Sequence, residues 1–123
     1  MSPVAAILII EDDADNRQML ASVVAIMGYD ILAAESGEQA LRMLAQRTDV
    51  ALVVSDIRLP GMDGLSFGEV MRKRHPSIKV AYVTGDDAAA EEAIQKGAVA
   101  MLKPYDFSVL TRVIVEALGH QSP

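Results

Sequence analysis

The chain of 123 residues has no cysteine, no tryptophan and only two histidines. Without thiols it can form neither a disulfide framework nor a cysteine-based catalytic site. Its formal net charge is −6, which argues against direct binding of nucleic acid or of an anionic membrane surface. The longest apolar run, Val4 to Ile10, is far too short to span a bilayer, and the chain start lacks the pattern of a signal peptide. The sequence therefore predicts a cytoplasmic protein without nucleic-acid or membrane contacts of its own.

What the chain does have is an ordinary globular composition, with 51% hydrophobic and 23% charged residues. This length suits one domain with one core, and we expect a single domain over 1–123 with its core at about 6–118. Such a chain suits either a stand-alone domain or a domain cut from a longer protein.

Short apolar runs alternate five times with longer segments in which apolar residues recur at intervals of three and four. The runs predict strands and the longer segments predict helices. Gly28 and Gly97 lie where helices should end, Ser36 to Gln39 has the pattern of a helix start, and His75-Pro76 should stop the third helix. The predicted strands are Val4–Ile10, Tyr29–Ala34, Val50–Ser55, Ile78–Thr84 and Ala98–Leu102.

Five βα units predict an α/β fold, a doubly wound parallel sheet with helices on both faces. Right-handed crossovers favour the flavodoxin-like strand order 2-1-3-4-5, with the second strand at an edge. In this sequence of strands the order reverses between strands 1 and 3. Ligands of such sheets bind at that reversal, beyond the carboxyl ends of the strands.

Polar residues stand at the ends of the predicted strands. Glu11 and Asp12 follow the first strand, Asp56 follows the third, Thr84 ends the fourth and Lys103 follows the fifth. Clustered carboxylates favour a shared cation, and oxygen ligands without His or Cys favour Mg²⁺. The lysine and the threonine can neutralise and bind an incoming phosphoryl group, which makes Asp56 the candidate nucleophile.

Each of these residues also has an ordinary interpretation. An Asp after a strand is usually a turn former. Glu11-Asp12-Asp13 also fits an acidic helix start, and for Asp13 this is the favoured interpretation. Thr84 fits a strand, and Lys103 fits a surface. These interpretations do not, however, explain why the polar strand ends share one edge.

With these residues in place, the sequence resembles the receiver domain of two-component response regulators, from Ala6 to Leu118. Each matching motif is weak alone, but all of them in order at strand ends are specific. The motifs are Ile7-Leu8-Ile9-Ile10-Glu11-Asp12-Asp13, Asp56-x-x-x-Pro60-Gly61-Met62-Asp63-Gly64, Val83-Thr84-Gly85, Gly97-Ala98 and Lys103-Pro104.

The resemblance implies roles for the strand-end residues. Asp56 would be phosphorylated, and Mg²⁺ would be held by Asp12, Asp56 and the backbone carbonyl of Arg58, with Glu11 contributing through water. Thr84 and Lys103 would contact the phosphoryl oxygens.

The resemblance also implies partners. A sensor histidine kinase or a histidine-phosphotransfer protein would donate the phosphoryl group, and an output domain or effector would read the face formed by helix 4, strand 5 and helix 5. The same face is a candidate homodimer contact. The chain would catalyse only its own phosphorylation and dephosphorylation.

Competing function classes fit less well. A flavin binder would need a neutral first loop, and a dinucleotide or nucleoside-triphosphate enzyme would need a glycine-rich motif that is absent. A haloacid-dehalogenase-like phosphatase would need a second Asp where Arg58 stands. A degenerate receiver that only mediates contacts is the remaining alternative. The intact residues that argue against it are Asp12, Asp56, Thr84 and Lys103.

Three further positions carry expectations of their own. Arg58 and Asp86 lie two residues after Asp56 and Thr84, and we expect them to pair across the crevice. Ala100 stands where receivers commonly carry a Tyr or Phe that moves inward with the threonine. Either coupling then runs through the backbone, or activation moves the loop Thr84–Ala88 and the fourth helix.

Overall fold

The computed structural model describes residues 5–103 and 106–118. Val4, Pro104 and the chain end from Gly119, which figure in the sequence predictions, lie outside these residues. Strands and helices alternate strictly through the described part of the chain. They are β1 Ala6–Ile10, α1 Ala14–Ile26, β2 Asp30–Ala34, α2 Gly37–Leu44, β3 Val50–Asp56, α3 Gly64–Arg74, β4 Lys79–Thr84, α4 Asp87–Gln95, β5 Val99–Leu102 and α5 Phe107–Leu118.

The five strands form one parallel sheet in the order β2-β1-β3-β4-β5. This confirms the predicted fold class, the strand order and the position of the second strand at an edge. Strands β2, β4 and β5 each begin one residue later than predicted, and β3 extends one residue further, to Asp56. The last difference arises because Asp56 is still paired with Val83 of β4 in the sheet register.

The core has a layer on each face of the sheet, because successive side chains of a strand point to opposite faces. Ile7 and Ile9 face one layer and Leu8 and Ile10 face the other, and all four are fully buried. The first layer includes Leu20, Val23 and Val24 of α1 with Leu110 and Ile114 of α5. The second includes Ala40 and Leu44 of α2 with Phe67 and Met71 of α3. This packing holds the carboxyl ends of the central strands rigidly.

Helix boundaries follow the local sequence. Gly28 and Gly97, predicted to end helices, have φ values of 94° and 85°, a region that glycine enters without steric cost. Helix α3 ends at Arg74, as His75-Pro76 predicts. No helix of residues 5–103 and 106–118 has the length and apolar content that a bilayer crossing requires.

The predicted start of the second helix is confirmed with one change. Ser36 caps α2 by accepting a hydrogen bond from the Gln39 amide at 3.1 Å. The Gln39 side chain accepts from the amide of Glu35, at 2.8 Å, rather than from that of Ser36. The side chain therefore also fixes the residue before the cap.

Candidate functional site

The carboxyl edge of the sheet brings the predicted acidic residues together. Glu11 and Asp12 follow β1, and Asp56 is the last residue of β3, the strand beside β1. One carboxylate oxygen from each of the three residues lies within 4.8 Å of the others. Because every donor is a carboxylate oxygen, the group suits a hard divalent cation such as Mg²⁺.

Asp56 is held at the centre of this group by two hydrogen bonds. Its Oδ2 accepts from the ammonium Nζ of Lys103 at 2.9 Å, and its Oδ1 accepts from the backbone N–H of Arg58 at 3.1 Å. The residue is only 9% exposed. The carboxylate is therefore fixed in orientation while it remains within reach of a reactant.

Glu11 lies deeper and shares the same lysine. Its Oε2 accepts from Lys103 Nζ at 3.3 Å, and its Oε1 accepts from the Asp13 amide at 3.3 Å. Burial raises the pKa of Glu11, and the negative charge of Asp56 adds to this rise, although Lys103 opposes it. A cation in the crevice would relieve this unfavourable burial of charge.

Lys103 is the cation among these carboxylates. Burial disfavours its charged form, but the hydrogen bond and charge of Asp56, together with the charge of Glu11, outweigh burial and raise the pKa of the lysine. Its side chain keeps 29% exposure. Lys103 therefore stays protonated and can follow a charge that appears on Asp56.

The adjacent residues Asp12 and Asp13 have different positions in the structure. Asp12 is exposed and belongs to the acidic group. Asp13 caps α1 by accepting from the Asn16 amide at 2.8 Å, which confirms its interpretation as a helix start.

Thr84 ends β4, next to Asp56 at the end of β3. It is buried, and its hydroxyl oxygen accepts from the Asp86 amide at 3.2 Å. Its carbonyl accepts from the backbone N–H of Lys103 at 2.7 Å, which ties the ends of β4 and β5 together. The structure thus places Thr84 and Lys103 at the same edge as the acidic group, as predicted.

The predicted pair of Arg58 and Asp86 is confirmed. The guanidinium Nη2 of Arg58 forms an ion pair with Oδ2 of Asp86, although the arginine side chain is 73% exposed. The Arg58 hydrogen bond lowers the pKa of Asp86, and the amides of Ala89 and Ala88 lower it further. The pair bridges the segments that follow β3 and β4.

A cleft of about 590 Å³ opens beside this edge. Asp12, Arg58 and Asp63 supply polar lining, and Ala89 and Glu92 come from α4. The cleft leaves open space beside the acidic group.

The sequence reasoning did not identify three residues that hold the site. Ser55 donates its buried hydroxyl to the Asp56 carbonyl at 2.8 Å, and Arg17 donates from Nη1 to the Glu11 carbonyl at 2.9 Å. A Cβ on Gly64 would lie 2.5 Å from the Asp56 carbonyl oxygen, so only glycine fits there. Of these, Gly64 alone lay in a recognised motif, and nothing in the local pattern distinguished Ser55 or Arg17.

Comparison with known proteins agrees with this arrangement. A family profile described as the response regulator receiver domain matches residues 7–115. The response regulator protein FleR of Pseudomonas aeruginosa is 36% identical over 119 residues, which cover 94% of this chain and 25% of FleR. The DNA-binding transcriptional regulator NtrC of Escherichia coli is 36% identical over 115 residues, or 91% of this chain and 24% of NtrC. The chain thus spans about a quarter of the length of these curated relatives.

Solved structures show the same fold. A response regulator receiver domain protein from Clostridium thermocellum superposes with a TM-score of 0.86 at 26% identity, covering 94% of both chains. The response regulator TrrA of Thermotoga maritima, in complex with Mg(2+)-BeF, gives a TM-score of 0.85 at 27% identity and covers 94% of this chain and 100% of TrrA. On the profile match and on these relatives, the chain belongs to the response regulator receiver domain family of two-component signalling.

Proposed function

We propose that this chain is a phosphoacceptor receiver in which Asp56 takes a phosphoryl group from a phosphohistidine of a partner. One observation carries the proposal. Asp56 is only 9% exposed and accepts a hydrogen bond from Lys103 at 2.9 Å. One of its carboxylate oxygens also lies within 4.8 Å of a carboxylate oxygen of each of two other acidic residues. A buried carboxylate that is fixed, crowded by like charge and paired with an ammonium suits a nucleophile better than a turn former.

In the proposed reaction, a carboxylate oxygen of Asp56 forms a bond to phosphorus as the bond from phosphorus to the histidine nitrogen breaks. The nitrogen keeps the electron pair of the broken bond, and because the other ring nitrogen carries a proton, the ring leaves as a neutral imidazole. Lys103 moves its hydrogen bond from the carboxylate to a phosphoryl oxygen, and the Thr84 hydroxyl donates to another. Both interactions neutralise charge that develops during transfer.

The acidic group fits Mg²⁺, which when bound would orient the phosphoryl donor and neutralise its charge. Asp12, Asp56 and the backbone carbonyl of Arg58 would hold the ion, with Glu11 contributing through water. Two features support this set: the common space of the three carboxylates, and the bond from the Arg58 amide to Asp56, which fixes the backbone at Arg58.

The proposed donor is a sensor histidine kinase or a histidine-phosphotransfer protein. The phosphorylated domain would be read by an output domain or effector on the face of α4, β5 and α5, in the cytoplasm. Large apolar side chains on these three elements stay in contact with solvent, which supports a partner there: Ile94, Val99, Leu102 and Phe107 are 43–54% exposed. The same apolar side chains would serve a homodimer contact. We assign no chemistry on other substrates.

Phosphorylation by a small donor tests the proposal. With acetyl phosphate and Mg²⁺, intact mass spectrometry should show one added phosphoryl group, and peptide mapping should place it on Asp56. Asp56→Asn and addition of EDTA should each abolish the product. Incorporation that persists in Asp56→Asn would refute the assignment, and a correctly folded protein that incorporates none would favour the degenerate receiver.

A further inference from the structure

Asp86 is hydrogen-bonded to both sides of the crevice and to α4. Its Oδ2 pairs with the guanidinium of Arg58, and its backbone N–H donates to the Thr84 hydroxyl oxygen at 3.2 Å. Its Oδ1 accepts from the amides of Ala88 at 2.9 Å and Ala89 at 3.2 Å, so the same carboxylate is the N-cap of α4. Asp86 thus connects the segment after β3 to the first turn of α4 through its side chain, and the end of β4 through its backbone N–H.

Arg58 is the most exposed member of this network. Its backbone is fixed by the 3.1 Å bond from its amide to Asp56 Oδ1, but its side chain is 73% exposed. An arginine anchored so near Asp56 can turn toward an anion placed on that carboxylate. A phosphoryl group carries more charge than a carboxylate and offers oxygens that suit a guanidinium fork.

We propose that the Arg58–Asp86 ion pair is a latch that holds the α4 N-cap until Asp56 is phosphorylated. This inference rests on the proposed function, since it needs a phosphoryl group on Asp56. The phosphoryl group competes for the Arg58 guanidinium, and Asp86 loses that partner. When Thr84 turns to donate to the phosphoryl oxygen, the hydrogen bond that its hydroxyl oxygen accepts from the Asp86 amide is weakened as well.

Both changes reach α4 through the same residue. Asp86 then loses the ion pair of its carboxylate and the hydrogen bond of its backbone N–H. An N-cap residue without these two contacts holds the first helical turn less firmly. The switch in this chain therefore passes from Asp56 through Arg58 and Asp86 to α4, and it does not require an aromatic side chain at Ala100.

Amide hydrogen exchange at the start of α4 tests the latch, with beryllofluoride and Mg²⁺ as the phosphoryl mimic. In the unaltered protein, the mimic should speed exchange of the Ala88 and Ala89 amides by about two- to fivefold, as expected when one exposed ion pair is lost. In Arg58→Ala, exchange should be faster before the mimic is added and should then change less.

Asp86→Asn separates the ion pair from the cap, because asparagine remains a good N-cap residue but carries no charge. It should behave like Arg58→Ala. Arg72→Ala is the matched control, since it removes a similarly exposed arginine that pairs with Glu69 within α3. It should respond to the mimic as the unaltered protein does.

The outcomes separate the two proposals. If amide shifts around Asp12, Asp56 and Lys103 respond to the mimic while exchange at Ala88 and Ala89 stays unchanged, the latch is wrong and the proposed function stands. An equal acceleration in Arg58→Ala also overturns the latch. If no amide near the crevice responds, the proposed function fails and the latch fails with it.

Discussion

Tyr82 of β4 lies directly beside Ala100 of β5, because the two residues are partners in the parallel register. Tyr82 is 4% exposed and forms a small cluster with Ile57 and Ala93, against which Ala100 packs. Register partners point to the same face of a sheet, so the small side chain at position 100 lies on the same face as the tyrosine. This chain therefore carries a buried aromatic on β4, next to the strand position where receivers commonly carry one.

The tyrosine hydroxyl fits against α3 only because Gly68 has no side chain. A Cβ at Gly68 would lie 1.9 Å from the Tyr82 hydroxyl oxygen and 3.2 Å from Cζ. We expect Gly68→Ala to lower the free energy of unfolding by about 1–3 kcal/mol, the usual cost of an overpacked core. In Tyr82→Phe the same substitution should cost far less, because the hydroxyl is gone and alanine favours the helix by about 1 kcal/mol.

Urea unfolding of the two single variants and the double variant measures this coupling. The substitutions should be non-additive by at least about 1 kcal/mol. Additive effects would show that the hydroxyl yields to the new methyl group without cost.

Tyr82 also gives the protein a specific response to alkaline pH. Burial raises the pKa of its phenol above the ordinary 10.0, which the nearby charge of Arg72 only partly offsets. A raised pKa means that the unfolded chain loses this proton at a lower pH than the folded protein does. The contribution of Tyr82 to stability is thus full below pH 10 and falls as pH rises through the folded-state pKa.

A spectroscopic titration at the phenolate absorbance band checks this prediction. The difference between the unaltered protein and Tyr82→Phe should show one phenol that titrates above 10, because Tyr29 and Tyr105 are common to both. The stability difference between the two proteins should shrink over the same range. A difference curve centred at or below 10 would contradict the prediction.

The sequence was sufficient to predict the sheet and the edge at which the polar residues meet. Once strands are parallel and ordered 2-1-3-4-5, the carboxyl ends of neighbouring strands must share an edge, so Asp12 and Asp56 converge without knowledge of any contact. The Arg58–Asp86 pair could be anticipated for the same reason, since each residue lies two positions beyond a neighbouring strand end.

The packing contacts could not be predicted from the sequence in the same way. Alternation of apolar residues tells which face of β4 Tyr82 occupies, but not that its hydroxyl fills the gap at Gly68. Likewise, Arg17 reaches the Glu11 carbonyl across one turn of α1, and only the side-chain path in three dimensions reveals this. Such contacts depend on volumes and rotamers, which a periodic pattern does not encode.

Asp12 and Asp13 should separate metal binding from stability although they are adjacent. Asp12→Ala should raise the dissociation constant for Mg²⁺ by at least roughly tenfold, because one candidate ligand is lost. Its free energy of unfolding without metal should hardly change, since the substitution removes one of several repelling carboxylates. Asp13→Ala should instead cost about 1 kcal/mol of stability through loss of the α1 cap and leave Mg²⁺ affinity nearly unchanged.

Mg²⁺ titration followed by amide shifts, together with urea unfolding in EDTA, measures both quantities for each variant. Each variant should change one of the two quantities and leave the other nearly unchanged, so each variant is the control for the other. Equal loss of Mg²⁺ affinity in both would mean that the β1–α1 loop acts as a unit and that Asp12 has no separate role as a ligand.

Arg58 should also control how long the phosphoryl group on Asp56 survives. Its side chain lies over the crevice between the ends of β3 and β4, where it can exclude the water that would hydrolyse an acyl phosphate. We expect Arg58→Ala to speed loss of the phosphoryl group by roughly 3- to 10-fold, because the side chain that excludes water is removed while the backbone carbonyl of residue 58 remains. An exposed ion pair contributes little by itself, so Asp86→Asn should speed the loss less than Arg58→Ala does.

The rates are measured on phosphorylated protein from which the phosphodonor has been removed, by following its intact mass over time. Arg72→Ala is the control for loss of a surface arginine. Hydrolysis that is unchanged or slower in Arg58→Ala would show that this side chain does not shield the acyl phosphate.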